Sequence, residues 1–91
     1  MITCIFENGH HSSKRHVVVD VLVINDGQIL MVKRAKGLEI GKWGIVGGYV
    51  DRDETITDAA KREVFEETGY RIHDLKLLTI RDNPDRPHED R

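Results

Sequence analysis

The sequence predicts an α/β (α+β) domain, a sheet of short strands with one helix, and three observations carry that reading. Residues 17–24, VVVDVLVI, are β-branched and nearly all apolar, the pattern of a strand buried on both faces, with Asp20 as the exception. Asp26-Gly27 follows directly and is a strong hairpin-turn signal. Residues 56–68 lie between a helix start and a helix stop. Thr55 suits the N-cap, Asp58 suits the capping-box acid three residues on, and Gly69 suits the C′ position that closes a helix.

The other elements follow along the chain. ILMVKR, 29–34, reads as the returning strand and AKGLEIGK, 35–42, as a loop. WGIV, 43–46, reads as a short strand ending on Gly47-Gly48, and YVDRDE as a charged turn. DLKLLTI, 74–80, resumes strand character. RDNPDRPHEDR is polar, holds both prolines and belongs to no element.

The long strand sets a packing problem. Val17, Val19, Val21 and Val23 share one face; Val18, Leu22 and Ile24 share the other with Asp20. One helix covers one face only. The sequence therefore predicts that a C-terminal half, or the second chain of a homodimer, covers the open face.

Composition bounds the function. With 91 residues the chain holds at most one domain, and 38% apolar with 33% charged residues is ordinary for a soluble protein. A net charge of −2 with both signs mixed gives no electrostatic case for nucleic acid or a membrane surface. No apolar run nears the ~20 residues of a membrane helix, and the N-terminus lacks a signal-peptide core. Cys4 is the single cysteine, which rules out an internal disulfide and fits a cytoplasmic setting.

The chemistry concentrates in the helix. At ~100° per residue, Glu63, Glu66 and Glu67 share an arc of about 100°. Like charges at that spacing repel. A hard divalent cation relieves the repulsion, and oxygen ligands are what Mg²⁺ prefers. Arg62, four residues after Asp58 and four before Glu66, is placed to hold a glutamate by charge-assisted hydrogen bonding. Taken alone, EVFEE reads as a solvated acidic face, the usual meaning of a glutamate cluster.

The wider spacing decides between these readings. Gly48, then Glu54 after five residues, then seven residues, then Arg62-Glu63-Val64-Phe65-Glu66-Glu67-Thr68-Gly69-Tyr70 fills every fixed position of a known signature. The sequence resembles the Nudix hydrolases (MutT-like), whose box has this form. HVVVDVLVINDGQILMVKRA and GKWGIVGGYV are similar to the strands preceding the box, although many relatives have proline where this chain has Val46.

The resemblance covers 16–91 and implies that these residues are the N-terminal part of a single domain, preceded by an N-terminal segment over 1–15. It implies a mixed sheet sandwiched between helices, with further strands and a second covering helix beyond the residues present here. It implies Mg²⁺-dependent, or Mn²⁺-dependent, hydrolysis of a nucleoside diphosphate linked to another group, by attack of water on the pyrophosphate. It implies metal ligation by Glu63, Glu66 and Glu67, aided by the Gly48 carbonyl, with Arg62 orienting a glutamate and Glu54 supporting the loop. Arg62, Glu63, Glu66 and Glu67 are thus the candidate catalytic set, with Glu63 the fallback general base. The tail DNPDRP resembles the loop of relatives acting on ADP-ribose and similar dinucleotides. The competing readings are a non-catalytic nucleotide-sensing module and an inactive fragment.

Other features carry less. DRDET fails as a calcium loop, because Ile56 stands where glycine belongs and Arg62 where glutamate belongs. Cys4, His10, His11 and His16 are irregularly spaced for zinc. Trp43 reads as a core or strand-end aromatic, Phe65 lies opposite the glutamates, and Lys33 and Arg34 read equally as phosphate-facing or solvated.

Overall fold

The computed structural model describes residues 2–35, 40–82 and Pro84. The described residues form strands β1 (Ile2–Ile5), β2 (His11–Lys14), β3 (Val18–Val21), β4 (Ile24–Asn25), β5 (Gln28–Ile29), β6 (Val32–Lys33), β7 (Trp43–Gly44) and β8 (Val46–Tyr49), then helix α1 (Ile56–Thr68). This is the α+β class that the sequence predicts. The ladders are antiparallel pairs: β1 with β2, β3 with β8, β4 with β5, and β6 with β7.

Val18–Leu75 is one compact unit and holds the core. Val19 and Val21 of β3, Val46 of β8, and Ala59, Ala60 and Val64 of α1 are its buried residues. Alternation along β3 turns Val19 and Val21 toward the helix, while Val18 and Asp20 stay exposed. Val46 and Val64 are fully enclosed, and each such valine contributes roughly 1.5–3 kcal/mol by removal from water. Small Ala59 and Ala60 let the helix approach the strand pair closely.

The helix ends where its signals place it. The Thr55 hydroxyl accepts from the Asp58 backbone N–H at 3.0 Å, and Gly69 adopts φ 80° and donates its N–H to the Phe65 carbonyl. Asp26 (φ 51°) and Gly27 (φ 73°) form the turn joining β4 to β5.

Four expectations need correction. The strand expected over 17–24 is shorter: β3 stops at Val21, and the chain enters a separate ladder at Ile24. The returning strand 29–34 likewise splits, because β5 pairs with β4 while β6 pairs with β7. WGIV does not end at the glycines; β8 begins at Val46 and runs through them to Tyr49, with Asp20 opposite Gly47 and Val19 opposite Gly48. Residues 74–80 form no strand. Asp74 sits at φ 54°, which kinks the chain, and Leu77, Leu78 and Ile80 lie exposed without a ladder partner among the described residues. The middle of the 35–42 loop and most of the DNPDRP tail lie outside the described residues.

The second unit draws on the segments before Val18 and after Leu75. Its β1–β2 hairpin was not anticipated, although Asn8-Gly9 is a turn signal: the Gly9 N–H donates to the Phe6 carbonyl and the His10 N–H to the Asn8 side chain. Phe6 stacks on His10, and Arg15 pairs with Asp82.

Candidate active site

The site is assembled where β8 leaves the sheet, turns through 51–54 and enters α1. The turn closes locally, with the Glu54 N–H directed at the Asp51 carbonyl and the Asp51 N–H donating to Glu54 Oε1 at 2.8 Å. Glu54 thus braces the loop, as the resemblance implies.

Arg62 is the hub. Its Nε donates to Glu54 Oε2 at 3.0 Å and its Nη2 to Glu54 Oε1 at 2.6 Å, the bidentate geometry that guanidinium favours. Nη2 also donates to the Tyr49 carbonyl at 2.8 Å, tying the helix to the end of β8. Nη1 reaches Glu63 Oε1 at 2.8 Å and Glu66 Oε2 at 3.2 Å. One guanidinium therefore fixes three carboxylates. Its hydrogen bond to Glu54 is the main reason that its own pKa is raised, against a smaller desolvation effect. The same bond, seconded by the Asp51 N–H, holds the Glu54 carboxyl below the usual range.

Glu67 stands apart from this fork. Its Oε2 accepts from the Gly47 backbone N–H at 3.2 Å. Partial burial pushes its pKa up; the negative charges of Glu63 and Glu66 add to the rise, and the Gly47 N–H and Arg34 oppose it. Burial is thus the main cause, and the carboxylate crowding expected from the spacing is a lesser one. Arg34 therefore acts on the glutamate face, whereas Lys33 is exposed on β6.

Gly48 is needed for a steric reason. A Cβ at this position would collide with the Glu63 carboxylate. The absent side chain lets a charged group rest directly against the strand backbone. Gly48, Arg62, Glu63, Glu66 and Glu67 are thereby brought into one locality by β8 and α1.

The locality suits a hard cation in its chemistry. Its donors are carboxylate oxygens, one with a raised pKa, and Arg62 supplies the positive charge that Glu63 and Glu66 now share. Among the described residues, however, no three His, Cys, Asp or Glu side chains are gathered closely enough to hold a metal ion. Glu63 and Glu66 point at Arg62, and Glu67 points at Gly47. The same finding applies to the set of Cys4, His10, His11 and His16. Two partners escaped the sequence reading, the Gly47 N–H and the Tyr49 carbonyl. Both are backbone groups, and side-chain patterns do not reveal them. Trp43 is exposed at a strand end and takes no part in the core.

These features define an α+β domain with a carboxylate platform at a strand–loop–helix junction. The NUDIX domain model matches residues 14–91, and the chain belongs to the Nudix family. The chain is similar to the oxidized purine nucleoside triphosphate hydrolase of Danio rerio, 42% identical over 58 residues, covering 64% of this chain and 37% of that protein. It is 37% identical over 70 residues to the ADP-ribose pyrophosphatase of Methanocaldococcus jannaschii, covering 77% of this chain and 41% of that one. The nucleoside triphosphatase NudI of Salmonella agona is 36% identical over 74 residues, covering 77% and 52% respectively. The chain thus spans about half, or less, of the length of these relatives. No solved structure matches it. No helix among the described residues is long and apolar enough to cross a membrane.

Proposed function

We propose that this chain carries the catalytic centre of a divalent-metal-dependent hydrolase that cleaves the pyrophosphate of a nucleoside diphosphate derivative. The observation that carries this reading is the Arg62 fork, which fixes Glu54, Glu63 and Glu66 beside Glu67 and Gly48. A plain solvated face has no reason to place a guanidinium at the centre of three carboxylates and a strand carbonyl.

Glu63, Glu66 and Glu67, with the Gly48 carbonyl, are the residues that would hold Mg²⁺ or Mn²⁺. The bound ion would polarise phosphoryl oxygens and make water a better nucleophile. Arg62 keeps Glu63 and Glu66 oriented, Glu54 holds Arg62, and Gly48 leaves room for the Glu63 carboxylate. Glu63 is the fallback candidate for the general base. A cytoplasmic setting suits the lone cysteine.

ADP-ribose or a similar dinucleotide is the favoured substrate. Similarity to an ADP-ribose pyrophosphatase supports it, while the relatives named as nucleoside triphosphate hydrolases support the broader nucleotide class. A second reading, a Nudix module that binds nucleotide without turnover, draws on the carboxylates' partners: Glu63 and Glu66 accept from Arg62, and Glu67 accepts from the Gly47 N–H. Screening the full-length protein on a nucleotide panel with and without Mg²⁺ separates the two. Metal-dependent release of nucleoside monophosphate is the expected result. Binding without turnover would establish the sensor instead.

A further inference from the structure

Helix α1 has a second functional-looking face. Lys61 and Phe65 lie one turn apart, at about 160° around the helix from Glu63. The left-handed Gly69 ends the helix and sends the chain back, bringing Arg71, Ile72 and His73 alongside them. These five residues line a cup of about 200 Å³. The Arg71 guanidinium lies over the Phe65 ring, 4.4 Å from its centroid.

We propose that this cup binds a compact phosphate-bearing anion. Its described lining has three basic side chains, Lys61, Arg71 and His73, and no carboxylate. The aromatic contact pre-positions Arg71, and a guanidinium fork matches two phosphate oxygens. The volume lies below the ~300 Å³ at which pockets for drug-sized molecules begin, so the site takes a phosphate or pyrophosphate group rather than a whole dinucleotide. The helix C-terminus nearby carries partial negative charge, which works against an anion. A single cation would be consumed in answering it; Lys61 and Arg71 together exceed it, and His73 adds ring nitrogens for hydrogen bonding. The proposal is independent of the metal reading, because the cup and the glutamates occupy opposite sides of α1.

The competing account is that Arg71 merely neutralises the helix C-terminus and packs on Phe65. NMR titration of the ¹⁵N-labelled full-length protein, without divalent metal, distinguishes them. The probes are inorganic phosphate, pyrophosphate and adenosine monophosphate, with sodium chloride at matched ionic strength as the control. Saturable shifts at Lys61, Phe65, Arg71 and His73, absent with chloride, are expected. Arg71→Gln should weaken binding by at least about tenfold, the loss of a charge-assisted hydrogen bond. Lys61→Gln, on the exposed helix surface, should weaken it independently and covers the case in which the Arg71 variant is unstable. Stronger binding of the monophosphate than of free phosphate would identify a nucleotide as the source; equal binding would identify the inorganic anion. Non-saturating shifts, shifts reproduced by chloride, or affinities unchanged in both variants would overturn the proposal.

Discussion

At the scale of single residues, Arg62 organises the site and Gly48 makes room for it. The guanidinium contacts Glu54, Glu63, Glu66 and the Tyr49 carbonyl. Each partner tests a different consequence. Glu54 has a depressed pKa in the folded protein. Its contribution to stability is therefore complete above the ordinary carboxylate range, ~4.3, and is lost as pH falls through the folded value. Urea unfolding followed from neutral pH to about pH 3 should show acid destabilisation that flattens in Glu54→Gln. An unchanged slope in that variant would remove Glu54 from the linkage. Gly48→Ala tests the close approach. The new methyl would meet the mobile end of Glu63 rather than backbone, so the fold should tolerate it while the carboxylate is displaced. Turnover of the full-length protein should fall by about tenfold or more, with melting lowered by only a few degrees. Full activity in this variant would show that Glu63 has no need of its place against the strand.

At the scale of elements, the helix was legible in the sequence and the sheet only partly so. Thr55, Asp58 and Gly69 are local signals whose physics lies within a few residues, and α1 begins and ends as they indicate. The carboxylate arc follows from helical periodicity alone. Strands depend on partners distant in sequence, and those partners set where each one ends. VVVDVLVI pairs with β8 only as far as Val21, because β8 begins at Val46, the partner of Val21; Gly47 and Gly48, expected to end the WGIV strand, instead lie within β8 opposite Asp20 and Val19. DLKLLTI has strand composition, but Asp74 kinks it and no described neighbour pairs with it. At the candidate site, the spacing indicated which side chains share one locality, whereas the Gly47 N–H that holds Glu67 was not readable. The helix cap supplies a clean test. Thr55→Ala should cost about 1 kcal/mol, lowering the melting temperature by roughly 4–8 °C, without altering metal affinity. No loss of stability would mean that the Thr55 hydrogen bond is not contributing.

At the scale of the whole molecule, the unit Val18–Leu75 has one covered face and one open face. Val19 and Val21 are buried under α1, while Val18, Leu22 and Ile24 are exposed. Such a surface is expected to find a partner, either further chain or a second copy. Sedimentation combined with hydrogen exchange of the 91-residue chain should show self-association or weak amide protection across 17–24. A monodisperse monomer strongly protected throughout that stretch would contradict this expectation. The central claim, that the crowded glutamates are a metal platform, is tested most directly by thermal unfolding of the full-length protein against Mg²⁺, in the natural sequence and in Glu67→Gln. A ligand that binds only the folded state at ten times its Kd stabilises by about 1.4 kcal/mol, or roughly 6–11 °C for a domain of 60–100 residues and roughly 3–6 °C for one of 150–250. The predicted result is a saturable rise in melting temperature that Glu67→Gln largely abolishes. A melting temperature indifferent to millimolar Mg²⁺, or an equal rise in both proteins, would contradict it.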